Sequence, residues 1–278
     1  MNIGEIISDR RKALGFTQQT LAERLNVSFQ AISKWENGTT YPDIELLPRI
    51  ATVLNVSIDA LLGYPAQSVT DYDNRYKNDE YYWGLEPNHL CYEIMRLKPP
   101  IKPYKVLDIG CGEGKDAVFL ARNGYTVTAF DASERGVAKA RQLAEHCNVK
   151  IDFFKADVRD FRVDTDYDVI FSSGVFHYIP PALREDVIEN LKAHTAHGGI
   201  HAINVFVKKP FIPYPPDGEA GEFDAGDWRS GELFLCYHDW LFHKNEERIF
   251  DCNSGGIPHK HCMDVLIAEK VSFTEDFG

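Results

Sequence analysis

No stretch of this sequence holds ~18 consecutive apolar residues, the length a helix needs to span a bilayer, and no positively charged segment leads into an apolar one at its start. A cytoplasmic protein with no membrane partner is expected. Paired cysteines are lacking too. Cys91, Cys111, Cys147, Cys236, Cys252 and Cys262 form no C-x-x-C, and a chain of 278 residues needs no covalent stapling. Reduced thiols are expected. Positive charge is also scarce, with 30 Lys and Arg against 42 Asp and Glu for a net charge of −12. Residues 1–65 hold six basic and seven acidic residues, so −11 of that charge falls on residues 66–278. A body this acidic repels a polyphosphate, because nucleic-acid affinity rests largely on Lys and Arg displacing counterions. The large part is therefore expected to act on a small molecule.

The length favours two domains of unequal size. From Ile3 to Leu62 the pattern is helical and broken by short turns. Ile3, Ile6, Ile7 and Leu14 mark a first helix ending at Gly15. Thr17 caps a second, with Leu21, Ala22 and Leu25 inward, and Ser28 caps a third, with Ala31, Ile32 and Trp35 inward. Asp43 and Ser57 are expected caps of two more short helices. Helices of this length are marginal alone and must pack as one bundle, expected over residues 1–65. Residues 66–79 lose the periodicity and read as a polar linker, and residues 80–278 form the second domain.

The pattern Thr17-Gln18-x-x-Leu21-Ala22, then Ser28-x-Gln30-x-Ile32-Ser33-x-Trp35-Glu36-x-Gly38 with Pro42 following, closely resembles the Cro-like (XRE) helix-turn-helix family. That resemblance implies a third helix that enters the major groove of double-stranded DNA. Ser28, Phe29, Gln30, Ser33 and Lys34 would face the groove, and Gln18 would contact a phosphate. A Gln amide can pair with adenine N6 and N7 together, whereas Lys34 suits a phosphate. A unit this small usually needs a two-fold partner, so a homodimer is expected.

In the second domain, strands and helices alternate. Strands are expected at 104–109, 126–130, 149–154, 167–171 and 199–206, with helices near 117–123, 133–146 and 181–195. This alternation implies a parallel, doubly wound α/β sheet of Rossmann-like type, with ligands at the carboxyl ends of its strands. The first strand runs into Asp108-Ile109-Gly110-Cys111-Gly112-Glu113-Gly114. Gly110, Gly112 and Gly114 permit a tight strand-to-helix turn and close approach of a ligand to the backbone. Asp131 closes the second strand, 21 residues after Gly110, the spacing of a ribose-binding carboxylate. A nicotinamide fingerprint would need glycine where Lys115 stands, and a P-loop would need Ser or Thr where Asp116 follows the lysine.

These residues, with Asp157-Val158 after the third strand, resemble the class I methyltransferase superfamily, which implies S-adenosylmethionine as cofactor. By that resemblance Asp108 lies near the methionine moiety, Asp131 holds the ribose, and Asp157 and Val158 meet the adenine. Cys111, Ala132 and Ser173 are assigned to the same site. After the fourth strand, Ser172-Ser173-Gly174-Val175-Phe176-His177-Tyr178 stands where enzymes acting on base amines resemble one another in Asn-Pro-Pro-aromatic. His177 and Tyr178 are the catalytic candidates for a small-molecule methyl acceptor. Tyr82-Trp83-Gly84-x-x-Pro87, Ser230-Gly231-Glu232-Leu233, Tyr237-x-x-Trp240 and His259-x-His261 together resemble the tellurite-resistance methyltransferases. Tyr82, Trp83, His259 and His261 are thus substrate-binding candidates, and the Pro- and Gly-rich insert 208–227 is a candidate lid. With Cys252 and Cys262 nearby, a zinc site at His259 and His261 is conceivable, but the spacing matches no standard pattern, and no metal is expected. Two rivals stay open. One is a regulator whose second domain senses the cofactor without turnover, and the other is a nucleic-acid methyltransferase guided by its own helix-turn-helix.

Overall fold

The structure, a computed structural model, describes residues 3–54, 56, 61–62, 71–212, 228–252 and 259–271. It divides into two compact units, 1–68 and 69–278. Among the described residues no helix is long and apolar enough to cross a membrane. All six cysteines carry free thiols.

The first unit packs α1 (Ile3–Ala13), α2 (Gln18–Leu25), α3 (Phe29–Glu36), a 3-10 turn (Ile44–Leu46) and α4 (Leu47–Leu54). Thr17 and Ser28 hold extended backbone, and their hydroxyls accept from Thr20 N at 3.0 Å and Ala31 N at 3.2 Å, the N-caps that define where α2 and α3 begin. Asp43 likewise caps the 3-10 turn through Glu45 N, while Ser57 lies outside the described residues. Ile7, Leu21, Leu25, Ile32, Ile50 and Leu54 are almost fully buried and form one core with Trp35. Each such side chain contributes about 1.5–3 kcal/mol. Glu36 adds a polar tie: its carboxylate accepts from Arg11 Nε at 2.6 Å, Arg11 NH2 at 2.9 Å and Gln18 Nε2 at 2.8 Å.

The second unit is built on one seven-stranded sheet in the order β3-β2-β1-β4-β5-β7-β6. Strands β1 (Lys105–Ile109), β2 (Thr126–Asp131), β3 (Asp152–Lys155), β4 (Tyr167–Ser173) and β5 (Thr195–Phe206) pair in parallel. The central β1 is buried from Val106 to Ile109, as a strand covered on both faces must be. From β1 the chain fills one side of the sheet with β2 and β3, then crosses to fill the other with β4 and β5. The switch point between β1 and β4 opens a crevice at their carboxyl ends. Helices α5 (Asp71–Arg75), α6 (His89–Leu97), α7 (Lys115–Arg122), α8 (Glu134–His146), α9 (Pro181–Ala193) and α10 (Glu232–Leu235) accompany the sheet.

Three features differ from the sequence-based expectation. β3 starts at Asp152 rather than 149, because Val149 and Ile151 pack into the core from outside the ladder. The sheet is mixed, since β7 (His259–Glu269) runs antiparallel to both β5 and β6 (Leu241–Cys252). Phe206 of β5 lies opposite Met263 of β7, so the Cys252 and His259 ends of the last hairpin rise at the carboxyl edge of the parallel strands. The segment expected as a polar linker over 66–79 is also structured in its described part. Residues 66–70 lie outside the described residues, but 71–75 are helical and Tyr76 is buried, because its ring seals the glycine loop.

Candidate active site

The glycine loop closes β1 onto α7. Gly110 N and Cys111 N both donate to Phe130 O at 2.9 Å, locking the loop to β2. Gly110 has φ +72° and Gly114 φ +86°, conformations that disfavour a Cβ. A Cβ on Gly110 would sit 2.2 Å from Val175 Cγ2, and one on Gly114 would sit 2.6 Å from Ala140 Cβ. Both glycines are thus required by space as well as by torsion. Gly112 faces Tyr76.

Four carboxylates surround this turn in different electrostatic states. Asp131 accepts from Gly112 N and Ser133 N, each at 2.8 Å, yet burial outweighs these bonds and pushes its pKa up to about 6. Asp108 is fully buried, and burial together with Asp116 holds it well above the usual carboxylate range. Its Oδ2 has no hydrogen-bond partner among the described residues. Asp116 accepts from Asn88 N at 2.6 Å and pairs with Lys115 at 3.1 Å. Burial also acts to raise Asp157, but bonds from the Arg159 side chain and backbone hold it below the ordinary range. The carboxylate assigned to adenine is therefore already paired.

The remaining cofactor candidates divide by burial. Val158 lies in the core and Ala132 is half-exposed. Ser173 Oγ accepts from Asn88 Nδ2 at 2.8 Å and Asn204 Nδ2 at 3.0 Å. The Cys111 thiol is driven well above its ordinary value by burial and by Asp108, which keeps it protonated and un-nucleophilic.

Aromatic rings wall the loop. Trp83 Nε1 donates to Tyr76 Oη at 3.1 Å, and Tyr178 Oη donates to Tyr72 Oη at 2.9 Å. Tyr72 lies 5.7 Å from Tyr76 and 6.5 Å from Trp83 between ring centroids, and Tyr82 packs edge-on against Trp83 at 4.8 Å. Trp83 and Tyr178 are thus brought together, joined by Tyr72, Tyr76, Asn88 and Asn204, which were not among the sequence candidates. The Tyr72-x-x-x-Tyr76 spacing, two rings on one helical face, was the available signal for the first two.

His177 is buried in the 3-10 turn Phe176–Tyr178, and burial, reinforced by His261, pushes its pKa down to about 3. A file of ring contacts runs outward from the loop: Tyr72 to Tyr178 at 6.1 Å, Tyr178 to His177 at 4.0 Å, His177 to Phe206 at 4.9 Å and Phe206 to His261 at 4.7 Å. His259 and His261 meet through their Nε2 atoms at 2.8 Å. Most of the candidate lid, residues 213–227, lies outside the described residues.

In the first unit, Ser28, Phe29, Gln30 and Lys34 are exposed and Ser33 is half-buried, all at the outer side of α3. Ser28 spends its hydroxyl on the cap, and Gln18 donates its amide to Glu36, so a phosphate would have to compete for it.

Residues 74–254 match the family described as tellurite resistance protein TehB. The chain belongs to that family. In addition, residues 7–61 of this TehB-family chain match the helix-turn-helix family. A Haemophilus influenzae protein named "Probable S-adenosyl-L-methionine-dependent methyltransferase TehB" is 30% identical over 149 residues, covering 54% of this chain and 50% of that one. A 2-heptyl-1-hydroxyquinolin-4(1H)-one methyltransferase of Mycobacteroides abscessus is 34% identical over 128 residues, covering 45% and 55%. The crystal structure of TehB from Haemophilus influenzae superposes with a TM-score of 0.58 at 25% identity, over 72% of this chain and 65% of that one. The chain spans about half the length of the curated relatives it matches.

Proposed function

We propose that this TehB-family chain transfers a methyl group from S-adenosylmethionine to a small-molecule acceptor, and that residues 1–65 form a sequence-specific DNA-binding domain. The transferase domain starts by Asp71. The observation that carries the reading is the glycine cradle, in which a buried carboxylate oxygen of Asp108 has no hydrogen-bond partner among the described residues, beside a loop that admits no Cβ. Asp108, the loop backbone from Gly110 to Gly114, Asp131, Ala132, Asp157, Val158 and Ser173 would hold the cofactor. Bound there, the cofactor supplies a methyl group on an electrophilic sulfonium.

The chain's own residues then need only bind, align and exclude water, because transfer to a strong nucleophile is an in-line displacement that needs no base. Asp131, oriented by Gly112 N and Ser133 N, would accept from the ribose hydroxyls. Tyr72, Tyr76, Trp83 and Tyr178 present ring faces, which attract a cation, and the bonds from the Trp83 indole N–H to Tyr76 Oη and from Tyr178 Oη to Tyr72 Oη keep the wall rigid. With its pKa near 3, His177 is neutral at pH 7 and orients the acceptor with Tyr178 rather than carrying charge.

The −11 charge on residues 66–278 supports a small acceptor over a nucleic acid. On the DNA side, Gln30 would read a base pair and Lys34 a phosphate. We also propose a homodimer through the first unit, whose Tyr41 and Ile44 are 77% and 78% exposed and border an apolar depression with Leu47 and Leu62. Sedimentation of the full chain as a monomer at micromolar concentration would remove the dimer.

The deciding experiment incubates methyl-labelled S-adenosylmethionine with thiols, selenite, tellurite, metabolite extracts and duplex DNA. Label in a small product supports the proposal and label in DNA overturns its acceptor class. S-adenosylhomocysteine binding without label in any pool makes the protein a cofactor sensor. Repeating DNA titrations with and without S-adenosylmethionine measures the coupling between the sites.

A further inference from the structure

Strand register brings together three metal donors, one thiol and two imidazoles, that their spacing does not advertise. Cys252, the last residue of β6, lies directly across from His259, the first of β7. Two residues along the same strand, on the same face, stands His261. One donor atom from each of Cys252, His259 and His261 lies within 4.8 Å of the others, and all three residues are half-buried. Cys262, the other thiol near these histidines, is fully buried and belongs to the core.

We propose that Cys252, His259 and His261 form a binding site for a borderline-soft divalent ion of the zinc class, with its fourth position open to a soft anionic acceptor such as a thiolate. Thiolate and imidazole are the donors zinc prefers, and three protein ligands with one open place are the pattern of a working rather than a structural site. Tetrahedral N and S ligands on zinc stand roughly 3.3–3.6 Å apart, so the 4.8 Å cluster needs only small side-chain rotations.

Place in the fold gives the open position a use. The hairpin end rises at the carboxyl edge of the sheet, and the file from His261 through Phe206 and His177 to Tyr178 runs from this cluster to the cofactor loop. A metal there would lower the pKa of a bound thiol, whose proton leaves to solvent, and hold it as thiolate. This acceptor-holding role rests on the methyltransferase reading, whereas metal binding does not.

The test is titration of the metal-free, full-length protein with Co²⁺, followed by competition with Zn²⁺. The expected result is one tightly bound cobalt with tetrahedral visible bands and a near-ultraviolet thiolate-to-cobalt band. Cys252→Ser should abolish the thiolate band. His259→Ala and His261→Ala should each weaken binding roughly tenfold or more, while His238→Ala, an exposed histidine on another segment, should leave it unchanged. No stoichiometric cobalt, or a thiolate band that survives Cys252→Ser, would overturn the site. Adding 2-mercaptoethanol should shift the visible bands of the cobalt protein, and an unshifted spectrum would overturn the open position. S-adenosylhomocysteine binding, measured on the same samples by calorimetry, checks that each variant is folded. If the unmutated protein binds cobalt as expected but no S-adenosylhomocysteine, the cofactor reading falls and the metal site stands.

Discussion

A single methyl group on Gly110 probes the cradle more sharply than any charge change. Gly110→Ala places a Cβ 2.2 Å from Val175 Cγ2 and 3.0 Å from Cγ1, at φ +72°. Left-handed backbone costs an alanine about 1–2 kcal/mol, and overpacking adds about 1–3 kcal/mol. The sum, about 2–5 kcal/mol, is a large part of a domain's stability. In a Val175→Ala background both γ carbons are gone, so the 2.2 Å and 3.0 Å clashes vanish, leaving the residual 3.1 Å contact with the Cβ of residue 175 and the backbone cost of about 1–2 kcal/mol. A double-mutant cycle should therefore return a coupling of about 1–3 kcal/mol. The readouts are calorimetric unfolding of the second unit and the Kd for S-adenosylhomocysteine in all four proteins. Gly110→Ala should lose stability and binding together, and adding Val175→Ala should restore part of both. Equal losses in the two backgrounds would refute the steric argument, and an unchanged Kd would detach the loop from the cofactor.

Asp131→Ala removes a charged hydrogen bond of about 1.5–3 kcal/mol and should weaken S-adenosylmethionine binding roughly tenfold to a hundredfold; undiminished affinity would take Asp131 out of the site. Because burial raises this carboxyl to about 6, binding that requires the ionised form should weaken as pH falls below about 6, and a flat affinity from pH 7 to 5 would contradict it. The same raised value means that protonated Asp131 favours folding below its unfolded pKa, a contribution lost as pH rises through about 6. Glu36→Ala leaves the Arg11 guanidinium, nearly buried, without its carboxylate, and should cost the first unit about 3 kcal/mol in its melting transition. Burial tends to raise Glu36, but Arg11 and Gln18 hold it below the ordinary range. The stabilisation it supplies is thus present at neutral pH and lost in acid as pH falls through its lowered pKa. Gln30→Ala should relax preference at one base pair by about 1–3 kcal/mol. Lys34→Ala should instead weaken binding to every duplex and lower the salt slope by about one, both read from DNA titrations at several salt concentrations.

What was legible in the sequence was whatever is encoded locally. Thr17 and Ser28 announce helix starts because a hydroxyl at an N-cap meets an N–H two or three residues on, and the structure shows both bonds. Gly110 to Gly114 and Asp131 announce a turn and its carboxylate because one strand and one helix separate them, a short path with little freedom. Tyr72 and Tyr76 escaped notice because a helix of five residues has too little periodicity to stand out from a polar segment. Asn88 and Asn204 escaped because their partners, Asp116 and Ser173, stand at least 28 positions away in the chain.

Sequence by itself thus determined the two-part architecture, the caps of α2 and α3, the glycine loop and the sign of the charge around it. Each depends on neighbours in the chain or on composition, and none needs a fold to be counted. Tertiary structure alone decided which state each carboxylate occupies, that four rings wall the loop, and that Cys252 meets His259. Desolvation and strand register set those outcomes, and both arise only when distant segments pack. The register places two residues seven positions apart face to face while leaving Cys262, next to His261, on the opposite side of the sheet.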